Sequence, residues 1–308
     1  MSPEPGVEGR VIANAGRARG ERHAHTFHAC THPGQVRPRN QDFAFADAVP
    51  GFPQWTLLVV ADGVGGQARG EWASQLATET LVHSVSTTFE PDDPMATLVR
   101  GLAAANEAVF AGGGDDAASR PATTLVCAIA SESHAWWANV GDSRIYLVRD
   151  GTAKQLSADH SWVAEQVRAG RMTDAEAAAS SRRNVITRSI GFEPAVAADT
   201  GDVALRPGDS LVLCSDGVHG VVPAAVFLDI ASRGSPMGIA EGLVAAANEA
   251  GAPDNATAVA CCWGPAVVLH REQPTLHGER RNRRRPVALG LVAVAAVAGA
   301  ALLLRAIA

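Results

Sequence analysis

Apolar residues along the middle of the chain fall into two patterns. Short, nearly continuous runs at Thr26–Ala29, Trp55–Ala61, Thr124–Ala130, Ala135–Val140, Arg144–Val148, Val196–Val203, Ser210–Cys214 and Thr257–Trp263 read as strands. Longer stretches with apolar positions every third or fourth residue predict helices over Gly70–Phe89, Pro94–Ala111, Ser161–Ala169, Pro223–Ala231 and Pro236–Ala250. Two helices in succession follow the early strands, and strands then follow strands with no helix between them. A doubly wound βαβ sheet needs regular alternation, so this order predicts antiparallel sheets covered by helices. Gly112–Asp116 reads as a helix stop and turn. Ala169–Ser189 is polar, arginine-rich and aperiodic, which predicts a flap over a surface site.

The two ends differ from the body at 24–265. Residues 1–23 are rich in Gly, Arg, Pro and Glu and lack apolar periodicity, so a flexible N-terminal arm is expected. No apolar stretch follows Met1, and no secretory signal is expected. Residues 266–285 read as a basic juxtamembrane linker ending in the run Arg280–Arg285, and residues 286–305 as a transmembrane helix. Its 18 positions from Val287 to Leu304 hold only Ala, Val, Leu and Gly. At about 1.5 Å per residue they reach about 27 Å, close to a bilayer core of about 30 Å. A helix lying on the membrane surface needs a polar face, and this stretch has none. The flanking arginines favour the cytoplasmic side. The expectation is a single-pass C-terminal membrane anchor with the body in the cytoplasm.

Composition narrows the function classes. With 47% hydrophobic and 19% charged residues in 308, the chain is too apolar for a disordered one. Five cysteines without a pairing pattern exclude a disulfide scaffold. The formal charge of -6 hides an asymmetry, because six arginines and no acid lie beyond Glu279. The body before that point is therefore more acidic than the average, and nucleic acid is not expected as a partner.

Three apolar runs end in the same chemistry: LLVVADGVGG (Leu57–Gly66), WWANVGDSR (Trp136–Arg144) and LVLCSDGVHG (Leu211–Gly220). A fourth acid, Asp254 in GAPDNAT, precedes the last run. One Asp-Gly after a strand is ordinary turn chemistry. Four in one body place carboxylates on adjacent strand ends, where unpaired charges repel and raise one another's pKa values. Divalent cations relieve that repulsion. Carboxylates, a backbone carbonyl such as that of Gly63, and water are the ligands Mg²⁺ and Mn²⁺ prefer. Cys and His at zinc-ligand spacing are absent around these acids. Two cations about 3.5–4 Å apart can share one carboxylate and activate water for in-line displacement at phosphorus. Upstream, Arg37 in HPGQVRPRNQD (His32–Asp42) has the forked guanidinium that grips a phosphate dianion.

The set RPRNQD (Arg37–Asp42), ADGVGG (Ala61–Gly66), VGDSR (Val140–Arg144), CSDGV (Cys214–Val218) and DNAT (Asp254–Thr257), in this order, resembles the protein phosphatase 2C family. These are the metal-dependent serine/threonine protein phosphatases. DHSWVAEQVRAGRMT (Asp159–Thr173) and RNVITRSIG (Arg183–Gly191) look like the family's flap and its flanks. The resemblance implies an α+β fold, a four-layer α-β-β-α sandwich of two antiparallel sheets flanked by helix pairs, with the metal site in a cleft at one end. It implies that Asp62 bridges two Mn²⁺ or Mg²⁺ ions, that the Gly63 carbonyl holds one of them, and that Asp216 and Asp254 complete the ligands. Asp142, with Asp216, would hold a third metal of the bacterial-type members. Arg37 would bind the phosphoryl group, and Asp42 would orient water at the metals from behind the ligands. The implied reaction is attack of metal-activated water on phosphoserine or phosphothreonine in a protein, without a phosphoenzyme. With the tail, it implies phosphoprotein substrates and a membrane-bound Ser/Thr kinase, or that kinase's targets, as partners.

The chain departs from the family pattern at several places. Val64 stands where many eukaryotic members carry His, Gln41 where they carry Glu, and Ser180-Ser181-Arg182-Arg183-Asn184 replaces the usual His-Pro before Arg-Asn. His160 is a candidate proton donor but reads better as part of a structural turn. His23 and His25 are expected in the arm, His28 in a strand, and none of them in a metal site. Cys261 and Cys262 alternate faces of the last strand, one toward the core and one under a helix. No cysteine has an Arg six positions on, which excludes a cysteine-based tyrosine phosphatase. The alternative function is a catalytically weak phosphoprotein-binding regulatory module at the membrane; a third reading makes the body a scaffold.

Overall fold

The computed structural model describes residues 11–13, 16–19, 24–64, 68–114 and 120–264. Across one sheet lie β1 (Val11–Ala13), β4 (Asp42–Val49), β5 (Phe52–Val64), β7 (Leu125–Ala130), β8 (His134–Val140) and β11 (Asp199–Ala204), with β6 (Ala122–Thr123) paired to the end of β5. The second sheet runs β10 (Thr152–Gln155), β9 (Arg144–Arg149), β12 (Ser210–Cys214), β13 (Ala256–Gly264), β3 (Ala24–His32) and β2 (Gly16–Arg19). Every pairing is antiparallel except β1 with β4.

Strand parity sorts the apolar residues into three layers. Leu58, Val60, Val126, Leu211, Leu213, Val259 and Trp263 meet between the sheets. Leu57, Val59, Leu125 and Ile129 face outward from the first sheet against α1 (Ala68–Thr88) and α2 (Pro94–Gly112), which bring Ala73, Ala77, Leu81, Leu98 and Leu102. Val212, Ala258 and Ala260 face α6 (Ala224–Ala231) and α7 (Pro236–Glu249), with Phe227, Ile239 and Leu243. Helix α2 starts where Asp93 accepts the Ala96 N–H beside Pro94, and α7 where Ser235 accepts from Gly238 beside Pro236. The architecture is the expected four-layer α-β-β-α sandwich. Cys261 faces the inter-sheet core and Cys262 the helix layer, as their alternation requires.

The structure corrects several local expectations. Within the segment expected to be a flexible arm, Val11–Ala13 pairs with β4 and Gly16–Arg19 with β3. These are edge strands, held by backbone hydrogen bonds, and they need no apolar periodicity to form. His25 lies in β3 and not in an arm; it is buried, stacks on Trp263, and its Nε2 lies 2.8 Å from Thr56 Oγ1. The helix expected over Ser161–Ala169 is α3 (Trp162–Arg168), and within the aperiodic segment after it lies α4 (Asp174–Ala179), which buries no residue. Its signal is a capping box between Thr173 and Glu176. Val196 and Ala198 pack, partly buried, from a loop against the outer core, and the strand expected from Val196 begins at Asp199.

Among the described residues, no helix is long and apolar enough to cross a membrane. The linker at 266–285 and the helix at 286–305 lie outside the described residues.

Candidate active site

The cleft opens where the ends of β4 and β5 face the ends of β12 and β13. Asp42 begins β4 directly opposite Asp62 near the end of β5. Both continue the inward parity of Ala44 and Val60, so both carboxylates face the gap between the sheets. Asp42 Oδ2 accepts hydrogen bonds from Ser215 Oγ at 2.7 Å and Thr257 Oγ1 at 2.6 Å, both on the opposite sheet's side. Thr257 spends its proton on Asp42, so Thr31 Oγ1, 2.6 Å away, donates to Thr257, and Asn40 Nδ2 donates to Thr31 at 2.8 Å. A relay of neutral groups thus orients one buried carboxylate across two sheets.

Asp62 is fixed through its main chain. Its N–H donates to Thr124 Oγ1 at 2.9 Å, and its carbonyl accepts from the Thr124 N–H at 2.8 Å and Thr123 Oγ1 at 2.9 Å. Thr124 Oγ1 also bonds Ser143 Oγ at 2.8 Å, which ties the ADG turn to the GDSR turn. Gly63 donates its N–H to the Gln41 carbonyl, and a Cβ on it would lie 2.2 Å from the Gly70 carbonyl in α1. Only glycine permits that contact between strand end and helix.

Asp142 follows β8, and its own carbonyl accepts from His219 Nε2 at 2.9 Å. Burial lowers His219 to about 4, so the ring is neutral and carries its proton on the nitrogen the carbonyl needs. His219 closes a short helix, α5 (Asp216–His219), whose first residue is the catalytic candidate Asp216. Gly141, preceding Asp142, donates to His160 Nδ1 at 3.1 Å and accepts from the His160 N–H at 3.0 Å. Fully buried His160 is a strut for this turn, in keeping with its structural reading. Arg144 grips Asp159 through Nε at 2.9 Å and Nη2 at 2.6 Å, locking the GDSR segment to the DHS segment.

Arg37 sits on a loop pinned by one buried side chain. Asn255 Oδ1 accepts the Gln41 N–H at 2.8 Å, and its Nδ2 donates to the carbonyls of Pro33 at 2.8 Å and Arg39 at 2.9 Å. Beside it, Arg37 Nη2 donates to Asp254 Oδ2 at 2.7 Å. Gly217 is the counterpart on α5, since a Cβ there would fall 1.8 Å from the Asn255 carbonyl. Asn255→Ala is therefore expected to raise KM for a phosphopeptide by about tenfold through a misplaced Arg37. Steady-state kinetics should show a smaller fall in kcat, and a thermal melt should show a lower Tm from the unpaired backbone groups.

Arg37, Asp62, Gly63, Asp142, Asp216 and Asp254 all line one cavity of about 160 Å³, with Gln41, Val64, Asn184 and Ile186 completing its wall. Asp42 lies directly behind Asp62. Burial pushes Asp42 up to about 7 against the pull of its Thr257 and Ser215 bonds, with the Asp216 and Asp254 charges adding to it. Asp142 is likewise pushed to about 7 by burial and the nearby charge of Asp216. Burial, then repulsion from Asp42, Asp216 and Asp142, holds Asp62 well above the carboxylate range. Asp216 is raised by burial and by Asp254. Asp42 Oδ1 is buried with no hydrogen-bond partner. Hard oxygen donors in mutual repulsion, with a carbonyl beside them and no thiol or imidazole on the cavity wall, fit Mg²⁺ or Mn²⁺. Among the described residues no three Asp, Glu, His or Cys side chains form a ready-made ion cage, so such a cation would keep waters in its shell, as Mg²⁺ habitually does.

The motifs include Ser215, His219, Asn255 and Thr257 but do not reveal that these, with Thr124, support the acids, nor that Asn184 and Ile186 enter the cavity wall. Their residue types are ordinary for strands and turns. A buried hydroxyl or amide beside each acid is the one signal available, and it needs the pairing register to be read.

An α-β-β-α sandwich opening on a carboxylate-lined cleft is the architecture of a metal-dependent phosphatase. Residues 35–246 match the family model for protein phosphatase 2C, and the chain belongs to that family. It is 35% identical over 230 residues to the protein phosphatase PhpP of Streptococcus pneumoniae, covering 74% of this chain and 93% of the relative. Among solved structures it resembles the PPM Ser-Thr phosphatase MsPP of Mycobacterium smegmatis in complex with cacodylate, at 33% identity and TM-score 0.67, covering 77% of this chain and 97% of that one. It also resembles the catalytic domain of the serine/threonine protein phosphatase PstP in complex with two manganese ions, at 30% identity and TM-score 0.68, covering 78% and 98%.

Proposed function

We infer that this chain hydrolyses phosphoserine and phosphothreonine in proteins, with divalent cations as cofactors. The observation that carries this reading is the single cavity that gathers Arg37 with four aspartates under mutual repulsion. Asp62, the Gly63 carbonyl, Asp216 and Asp254 are the groups that would hold two Mn²⁺ or Mg²⁺ ions, and Asp142 with Asp216 a third. When bound, the cations supply Lewis-acid stabilisation of the phosphoryl oxygens and lower the pKa of water for in-line attack. Arg37 is half-exposed and reaches the cavity from its pinned loop, so its fork can take phosphoryl oxygens. Asp42, held rigidly through Oδ2, turns its unpartnered Oδ1 to position water. Val64 has no proton to give a leaving serine or threonine, and His160 is committed to the Gly141 turn. The leaving oxygen therefore takes its proton from solvent in the cleft.

The test is hydrolysis of p-nitrophenyl phosphate and a phosphothreonine peptide with Mn²⁺, Mg²⁺ or EDTA. Turnover with metal and none in EDTA is expected. A folded protein that binds metal and phosphopeptide without turnover would favour the second reading, a phosphoprotein-binding regulatory module, whose support is the altered Ser180–Asn184 segment of the flap.

We further propose that Val287–Leu304, behind Arg280–Arg285, anchors the chain in a membrane with the catalytic body on the cytoplasmic side, near a membrane-bound Ser/Thr kinase or its targets. Full-length protein should float with vesicles containing anionic lipid, while residues 1–279 should stay behind and keep their metal-dependent activity. Equal flotation of both would end the anchor reading.

A further inference from the structure

A second cavity of about 370 Å³ adjoins the catalytic one, and the two share Val64, Asn184 and Ile186. Its apolar wall is Val64, Ala122, Ile186, Phe192 and Val196. Phe192 is 50% exposed and Val64 38%. Lone exposed apolar residues need no explanation, but these two line one concavity beside the reacting site.

The loop that carries Phe192 is held at four consecutive residues. Gly191 donates its N–H to Asn106 Oδ1 at 2.8 Å, and Asn106 Nδ2 donates to the carbonyls of Glu193 at 3.1 Å and Pro194 at 3.2 Å. Arg120 Nη1 donates to the Phe192 carbonyl at 3.1 Å. Just upstream, Ile190 exchanges both backbone bonds with Thr123, whose hydroxyl also donates to the Asp62 carbonyl. A buried asparagine on α2 and an arginine thus fix an exposed aromatic wall in register with the catalytic turn. Such a preformed wall lowers the entropy cost of binding.

The charges around it narrow the occupant. Arg120 is committed to backbone carbonyls and stacks over Phe110, and Arg188 is paired with Asp199 at 2.8 Å. The remaining charge on the wall is the exposed carboxylate of Glu193, which repels an acidic neighbour. We propose that this cavity takes an apolar side chain next to the phosphorylated residue, so that the enzyme selects phosphosites flanked at one fixed offset by a residue of leucine, methionine or phenylalanine size. The proposal rests on the phosphatase reading and names the substrate class of that same site.

The test scans phosphothreonine peptides with Leu, Phe, Gly, Asp or Lys at each flanking position, using the full chain with Mn²⁺, beside p-nitrophenyl phosphate. At one offset, Leu or Phe is expected to raise kcat/KM about tenfold over Gly, with Asp at or below Gly. Phe192→Ser should reduce that ratio to about twofold or less, while Phe192→Leu should keep most of it. Thermal melts of both variants confirm folding. Hydrolysis of p-nitrophenyl phosphate with no offset preference, or a preference unchanged in Phe192→Ser, overturns the subsite alone. A preference for Lys over Leu assigns the cavity to Glu193 and overturns it too. Failure on p-nitrophenyl phosphate as well removes the phosphatase reading, and the subsite with it.

Discussion

Asp62→Asn is expected to cut metal-dependent hydrolysis of a phosphothreonine peptide by about a thousandfold or more, because it removes the charge two cations would share. The substitution keeps the shape and the main-chain bonds to Thr123 and Thr124 that place this residue. It should therefore leave the fold intact. Asp216→Asn should fall comparably, since Asp216 sits in the same repelling set. A structural readout separates lost chemistry from lost folding. In EDTA, Asp62→Asn should melt above the parent protein, because one repelling carboxylate is gone. With Mn²⁺ that advantage should vanish, as the parent gains from the cation. An Asp62→Asn protein that keeps most of its hydrolysis would remove Asp62 from the cation site.

The second large effect is on stability against pH. Asp42 and Asp142 titrate near 7 in the fold, against about 3.9 for an aspartate in the unfolded chain. Between those values the folded state binds more protons than the unfolded one, so in EDTA stability falls as pH rises from about 4 to about 7. Above that range the cost of the buried charges is fully felt. A divalent cation offsets it where the acids are ionised and loses to protons where they are not. Mn²⁺ is therefore expected to raise Tm by on the order of 5–10 °C at pH 8 and by little at pH 5. Thermal melts across that range, with Mn²⁺ and with EDTA, decide it. An EDTA curve that climbs toward pH 8, or a metal shift equal at both ends, would contradict the electrostatic account of the cleft.

What the primary sequence announces here is the part that repeats or alternates. Ser210–Cys214 is a strand at both ends as expected, and α2 and α7 begin at Pro94 and Pro236 where proline and a cap mark them. The acids were visible because three of them end apolar runs. Edge strands β1 and β2 were not, since their hold is the backbone ladder. Nor was the role of Asn255: an asparagine after an Asp reads as turn chemistry, and its three partners come from a loop more than 200 positions away. Phe192 was equally silent, because one aromatic in a polar loop has no period and its meaning comes from Asn106 and Arg120 beneath it.

The place of β13 bears on how the protein is made. This strand closes the body in sequence, yet it lies in the middle of its sheet, between β12 and β3. Until it emerges from the ribosome, β3 has no neighbour on that side and the second sheet is split. Asp254 and Asn255, which immediately precede it, arrive at the same moment. A nascent chain can thus collapse its first sheet early, but it completes the cleft only after nearly the whole body has been synthesised. Products terminated before Ala256 would be aggregation-prone fragments with open strand edges and no assembled cleft.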